Sequence, residues 1–469
     1  MKGINEWVST PTCETMTSFF LKNNCIPHIK PPANISPFLD ELYGNILDAN
    51  RWIESSKETA CIDDFYNLQM MEVRKDSNIP MPKTMQISGT FVAEGVLDHI
   101  RKTAVFSSTY SINMLDKQVI IHFVFENAEL DVTWKKKEPN IQAINAYVDN
   151  MLIWLHIANK YTEKSCAPSL TIFVYLTSLE KLVPKVDATV ISATHVNTGA
   201  TFSCPVNAGE IIVYRHEEWF KVFIHESMHA LGLDFSSMDT SASQSKLRET
   251  FHIPTPILMF EAYTEFWARV MNVLIASFRW TQGQTQTQEQ QQGQQDGGDG
   301  STQGRQGQQQ DGGKQGQQDG IKLFIQYATF LLDYERVHCF FQMAKVLEHM
   351  NIEYVDLHSD LTLLDRYKEE SNVFVYYVLT VIMLNNYPKF IHWCGTNNVN
   401  LIQFTQTQDH QLLFCEYIKM NFKTKEMLSS IQCTNRLIKK ISIHHRHPRN
   451  KKIKLILTNL RMSLCEIRN

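Results

Sequence analysis

Trp219-Phe-Lys-Val-Phe-Ile-His225-Glu226-Ser-Met-His229-Ala-Leu-Gly232-Leu-Asp-Phe235 is the stretch on which the reading of this chain turns. Apolar residues at Trp219, Phe220, Phe223, Ile224 and Met228 recur at helical spacing, and Gly232 supplies a left-handed stop just beyond them. On such a helix His225 and His229 share one face a turn apart, so both imidazoles reach a single Zn²⁺ at about 2.0–2.1 Å. Glu226 leans toward the same ion, where it can take a proton from water and later hand it to a leaving amine. Immediately upstream, Gly209-Glu-Ile-Ile-Val-Tyr-Arg215 has the apolar content of a short strand.

Two histidines and a water leave a tetrahedral zinc one protein ligand short. Six residues past His229 stands Phe235, which cannot coordinate; Asp234 and Asp239 carry the right oxygen but sit in or beside the Ser/Thr-rich stretch 236–245. A separate helix offers Glu261 and Glu265 on one face, flanked by Leu258, Ala262, Phe266 and Val270, with Thr255 as N-cap and Pro256 at the first helical position. A carboxylate on a largely buried face is costly unless it meets a cation. The expectation is Glu261 as the third metal ligand and Glu265 as the carboxylate that orients a ligating histidine, with the reverse assignment open.

His225-Glu226-x-x-His229 followed by Glu261-x-x-x-Glu265 resembles the zincin metallopeptidases of the gluzincin type, whose downstream helix offers Glu-x-x-x-Asp or a similar pair. Glutamate at the second place departs from that pattern. The run Val196-Asn-Thr-Gly-Ala-Thr201, with residues 209–226, is also similar to zincin-like proteins of large nucleocytoplasmic DNA viruses. The resemblance implies a zinc peptidase acting on a peptide or protein, with Glu226 as general base, placed in the cytoplasm or, for a viral protein, in the host cytoplasm or virion.

The flanking sequence supplies the parts of such a fold. Residues 119–125 and 170–176 are rich in β-branched and aromatic side chains, and 141–160 is amphipathic between them. Strand, helix, strand and motif helix then follow in order, giving an α+β class: a mixed sheet with an active-site helix, plus a helical C-terminal lobe. Residues 189–202 alternate, with a turn at Asn197-Thr-Gly199, and suit an edge strand or a surface hairpin. The expected divisions are a mostly helical region 1–85, a catalytic domain 86–280, a disordered Gln/Gly-rich insertion 281–320, a helical lobe 321–435 and a basic tail 436–469. Tyr263, His252, His195 and Tyr214 are the candidates for stabilising an oxyanion, unranked.

The net charge of −4 names no partner, but Lys439, Lys440, Arg446, Arg449, Lys451, Lys452, Lys454 and Arg461 gather near the C-terminus. Without stacking aromatics they read as a solvated tail, or as a weak contact for nucleic acid or an anionic surface. The cluster His444-His445-x-His447 does not have the spacing of a closed metal site. Ten cysteines lack any Cys-x-x-Cys pair, which suits reduced thiols in a cytosolic setting. The opening residues lack a signal-peptide core, and the longest apolar run, 373–384, is too short to span a bilayer. Two further readings stand beside the peptidase: a zincin-derived structural protein without turnover, and a nucleic-acid factor acting through the basic end.

Overall fold

The computed structural model describes residues 11–30, 35–73, 79–83, 92–126, 134–135, 138–162, 165–185, 189–295, 309–444 and 451–466. Its framework is one mixed six-stranded sheet: β1 Gln69–Glu72, β2 Ala104–Met114, β3 Lys117–Glu126, β4 Ser169–Leu176, β5 Gly199–Thr201 and β6 Ala208–Val213, in the spatial order β1-β2-β3-β4-β6-β5. β1, β2 and β3 pair antiparallel, β3, β4 and β6 run parallel, and β5 returns antiparallel on the edge, with Gly199 opposite Val213.

Pleating sends alternate side chains to opposite faces. Ile172 and Val174 of β4 enter the main core, whereas Phe173 and Tyr175 join Val96, Leu97 and Ile100 of the helix Glu94–Thr103 on the other face. Both faces are covered, which is why β4 reads as a continuous apolar run. The crossover between β3 and β4 is α1 Ile141–Asn159, predicted from its periodicity, and the motif helix α2 Trp219–Ala230 follows β6. Behind it pack two long helices, α3 Met259–Gln295 and α4 Gln309–His349, and then the helical C-terminal region.

Several expectations need correction. The N-terminal region adds an edge strand, β1, and its Met16, Phe19, Leu39 and Ile46 share one apolar interior with residues as distant as Leu464. Helix α3 begins at Met259 rather than at the Thr255 cap, because the Thr255 hydroxyl donates instead to Glu369 Oε1 at 2.8 Å. Helices α3 and α4 run into the Gln/Gly-rich segment from either side, to Gln295 and from Gln309, while 296–308 lie outside the described residues. The segment contains no proline, and glutamine is a good helix former, so packed helices can extend into it.

Two disulfides, Cys25–Cys433 and Cys166–Cys204, replace the expectation of uniformly reduced thiols, with Cα–Cα distances of 6.0 and 4.6 Å. Partners 408 and 38 residues apart leave no short spacing for sequence to register. The basic tail is also not uniformly solvated. Lys451, Lys452 and Lys454 are exposed, but Arg461 is 1% exposed and pairs with Glu466. His445 and His447 lie outside the described residues. No helix among the described residues is long and apolar enough to cross a membrane.

Candidate metal centre

Every residue of α2 is buried, so the polar side chains on it must find partners inside the protein. The helix ends as expected: Gly232 takes φ +66°, Leu233 N donates to Met228 O at 2.9 Å and Gly232 N to His229 O at 3.1 Å. These are the two bonds of a Schellman cap. A Cβ at position 232 would meet Cys166 Sγ at 2.9 Å, so packing as well as backbone conformation requires glycine. The cap turns the chain back on itself and delivers Asp234 to His229, where its Oδ2 contacts Nδ1. Asp234 is fixed there by the Thr264 hydroxyl on Oδ2 (3.2 Å) and by Ser236, whose backbone N–H (3.2 Å) and hydroxyl (2.7 Å) donate to Oδ1.

With Nδ1 of each histidine turned outward, the Nε2 atoms face each other at 3.2 Å. Glu261, in the first turn of α3, completes a triangle: its Oε2 is 3.1 Å from His225 Nε2 and 3.4 Å from His229 Nε2. Ligands about 2.0–2.1 Å from a tetrahedral zinc stand about 3.3–3.4 Å from one another. The three donors therefore fit such an ion, and they form a buried group able to hold a metal.

Electrostatics favour a cation at this place. Asp234, Glu226, Glu261 and Glu265 crowd two imidazoles, yet of these carboxylates only Glu265 is bonded to fixed cations, Lys221 and Arg269. Burial opposes protonation of His229, but Asp234 and Glu261 outweigh it and raise its pKa well above the usual imidazole value. Burial likewise acts against charge on Glu261, and the two imidazoles nonetheless hold it below the carboxylate range. The pocket stabilises positive charge between these donors, a demand that a divalent ion meets while leaving both histidines neutral for ligation.

Glu265 stands one turn beyond Glu261 and away from the donor triangle. Its Oε2 is 3.2 Å from His225 Nδ1, a close ionic contact off the line of a good hydrogen bond. Lys221 Nζ donates to both of its oxygens at 2.9 Å and Arg269 Nε to Oε1 at 2.8 Å. Asp239, exposed and bonded to Ser241, takes no part.

Glu226 is 8% exposed and receives no hydrogen bond from any described residue. Burial raises its pKa; both histidines and Lys221 oppose the rise, and Glu261 adds to it. Its position depends on Gly199 of the edge strand, where a Cβ would come within 2.8 Å of Glu226 Cγ, Val222 Cγ1 and Ile212 O. Gly199→Ala should force the edge strand and the Glu226 side chain apart and lower the melting temperature of the protein, measured by thermal unfolding. Removing the carboxylate behind His229 with Asp234→Ala should weaken metal binding by about 10–100-fold in chelator competition, the usual effect of such a partner.

Sequence reading missed two contributors. Asp234 was weighed only as a ligand, whereas its Oδ2 contacts His229 Nδ1 on the side away from the donor triangle. Tyr376, in the π-helical segment Val375–Leu379, donates its hydroxyl to Glu261 Oε2 at 2.9 Å, with its ring 6.0 Å from that of His225. Burial pushes that phenol well up, and Glu261 reinforces the shift. The only signal was a Tyr pair in an apolar run, and π segments are frequent at functional sites. None of the four oxyanion candidates bonds to the donor triangle. Tyr263 is committed to Ile402 O and Asn398, His195 caps a turn at Ser192, Tyr214 lies in the second core, and His252 bonds to Leu357 O through its backbone. Compared with known proteins, the chain matches no family model, no curated protein and no solved structure.

Proposed function

We propose that the chain is a zinc-dependent peptidase of the zincin kind, with His225, His229 and Glu261 as the metal ligands and Glu226 as the general base. The observation that carries the proposal is the triangle of two Nε2 atoms and one carboxylate oxygen at 3.1, 3.2 and 3.4 Å. When bound, zinc supplies a polarised carbonyl and a water acidic enough to attack near neutral pH. Glu226 accepts the proton of the attacking water and passes it to the leaving amine. Asp234 keeps His229 in the tautomer that presents Nε2, and the Glu265 carboxylate, 3.2 Å from His225 Nδ1, favours a proton on that nitrogen by its charge. The Tyr376 hydroxyl donates to Glu261 Oε2 and so holds that carboxylate toward the two imidazoles.

An extended substrate would pair along β5, which lies at the sheet edge and pairs only with β6 among the described strands. Gly199 holds that strand against Glu226. The test is a peptide-library digest by purified, zinc-loaded protein. Cleavage should vanish after chelation and return with zinc. A zinc-loaded protein that cuts nothing in the library leaves the metal site with a structural role and defeats the peptidase reading.

A further inference from the structure

The motif helix starts from a strained residue. Glu218 precedes α2 with φ +61°, a left-handed conformation that is unfavourable for a residue with a Cβ. Such strain persists only where the surroundings over-determine it. Here the surroundings are the last described residues of the chain. Glu218 Oε1 accepts the backbone N–H groups of Met462 (2.8 Å) and Ser463 (2.5 Å), and Lys181 Nζ donates to Oε2 at 2.9 Å. A second buried carboxylate, Glu335 of α4, takes the Ser463 hydroxyl and the N–H groups of Leu464 and Cys465 at 2.7–2.8 Å. From the ligand helix, Asn272 Nδ2 donates to Cys465 O at 2.8 Å.

We propose that residues 459–466 are a positioning strap for the metal site, setting the first turn of the motif helix against the ligand helix so that Glu265 holds His225. The proposal rests on reading His225, His229 and Glu261 as a zinc site. The connection is continuous. Glu218 Oε1, seated on the strap, is 4.0 Å from Lys221 Nζ; Lys221 grips both oxygens of Glu265; Glu265 Oε2 faces His225 Nδ1 at 3.2 Å. Further anchors hold the strap to the catalytic half: Leu460 N donates to Lys181 O (2.8 Å) and Asn459 Nδ2 to Glu217 Oε1 (2.7 Å).

All of these groups are buried, so a displaced strap leaves two carboxylates short of donors in a low-dielectric interior, a strongly unfavourable state. The strap and the aligned Lys221–Glu265 pair therefore form together. By linkage, whatever factor the ordered strap adds to zinc affinity, zinc must return as added order in the strap. Zinc that merely stabilised the fold would slow exchange everywhere alike, so the slowing at residues 459–466 is measured against that of β3 and β4 and should exceed it.

Two measurements on the full chain test it. Met462→Pro removes one N–H from Glu218 and should weaken zinc about tenfold in chelator competition, at the low end for a change behind a ligand. Wild-type hydrogen exchange over residues 459–466 should slow when zinc is added. Wild-type zinc affinity in folded Met462→Pro, or strap exchange indifferent to zinc, overturns the proposal. If that variant does not fold, the wild-type exchange experiment decides alone. A wild type that binds zinc and cuts peptides but fails these tests loses only the strap; one that binds no zinc loses the peptidase reading and the strap together.

Discussion

Glu226→Gln is expected to keep one equivalent of zinc while losing about 10³–10⁴-fold in turnover, near the upper end of what a positioned general base contributes. The substitution preserves side-chain volume in a tightly packed place, since Gly199 already brings the edge strand against the Glu226 side chain. It removes the ability to take a proton together with one negative charge, while the three donor side chains stay in place. No described residue donates a hydrogen bond to the carboxylate, so no partner is stranded by the change. Burial raises the Glu226 pKa, and the neighbouring Glu261 adds to the rise. The check is single-turnover cleavage of a peptide found in the library digest, with zinc measured on the same preparation. Turnover within about tenfold of the wild type would exclude Glu226 as the base.

Glu261→Ala should act on the metal itself. Structural zinc sites with four ligands bind with apparent free energies of about 10–16 kcal/mol, so one ligand accounts for about 3 kcal/mol, or about 100-fold in affinity. A larger loss is expected here, because Tyr376 loses the acceptor for its hydroxyl and the two imidazoles lose the carboxylate that draws them together. Chelator competition should place Glu261→Ala below Asp234→Ala, with Asp239→Ala unchanged because Asp239 is exposed and bonded only within its own turn. Retention of zinc at wild-type affinity by Glu261→Ala, with loss in either aspartate variant, would move the third ligand to that aspartate.

The parts of the site that were legible in the sequence obey local rules. His225, Glu226 and His229 are fixed by the helical turn, Gly232 by its cap, and Glu261 by the cost of a carboxylate on an apolar helix face. Asp234 was harder, although only five residues from His229. Its role depends on the direction in which the Schellman cap sends the chain, and the same oxygen at the same sequence distance suits a ligand or a ligand's partner. The strap escaped for a different reason. Charged and polar residues near a terminus read as solvated, because water is their default partner. Arg461 and Ser463 are instead satisfied by one another, by Glu466 and by Glu335, and the Met462 and Ser463 backbone by Glu218, far away in the chain.

The sequence alone determined the α+β class, the motif helix and its stop, the two apolar strands that flank the amphipathic helix, and the three side chains that meet as candidate metal donors, since each follows from periodicity, turn chemistry or the penalty for burying charge. Only the tertiary structure decided which carboxylate stands behind which histidine, which tyrosine reaches the site, which cysteines pair, and that the basic end of the chain folds back into the core. Those outcomes depend on contacts between segments tens to hundreds of residues apart, and such contacts form only when the sheet and the long helices bring the segments together.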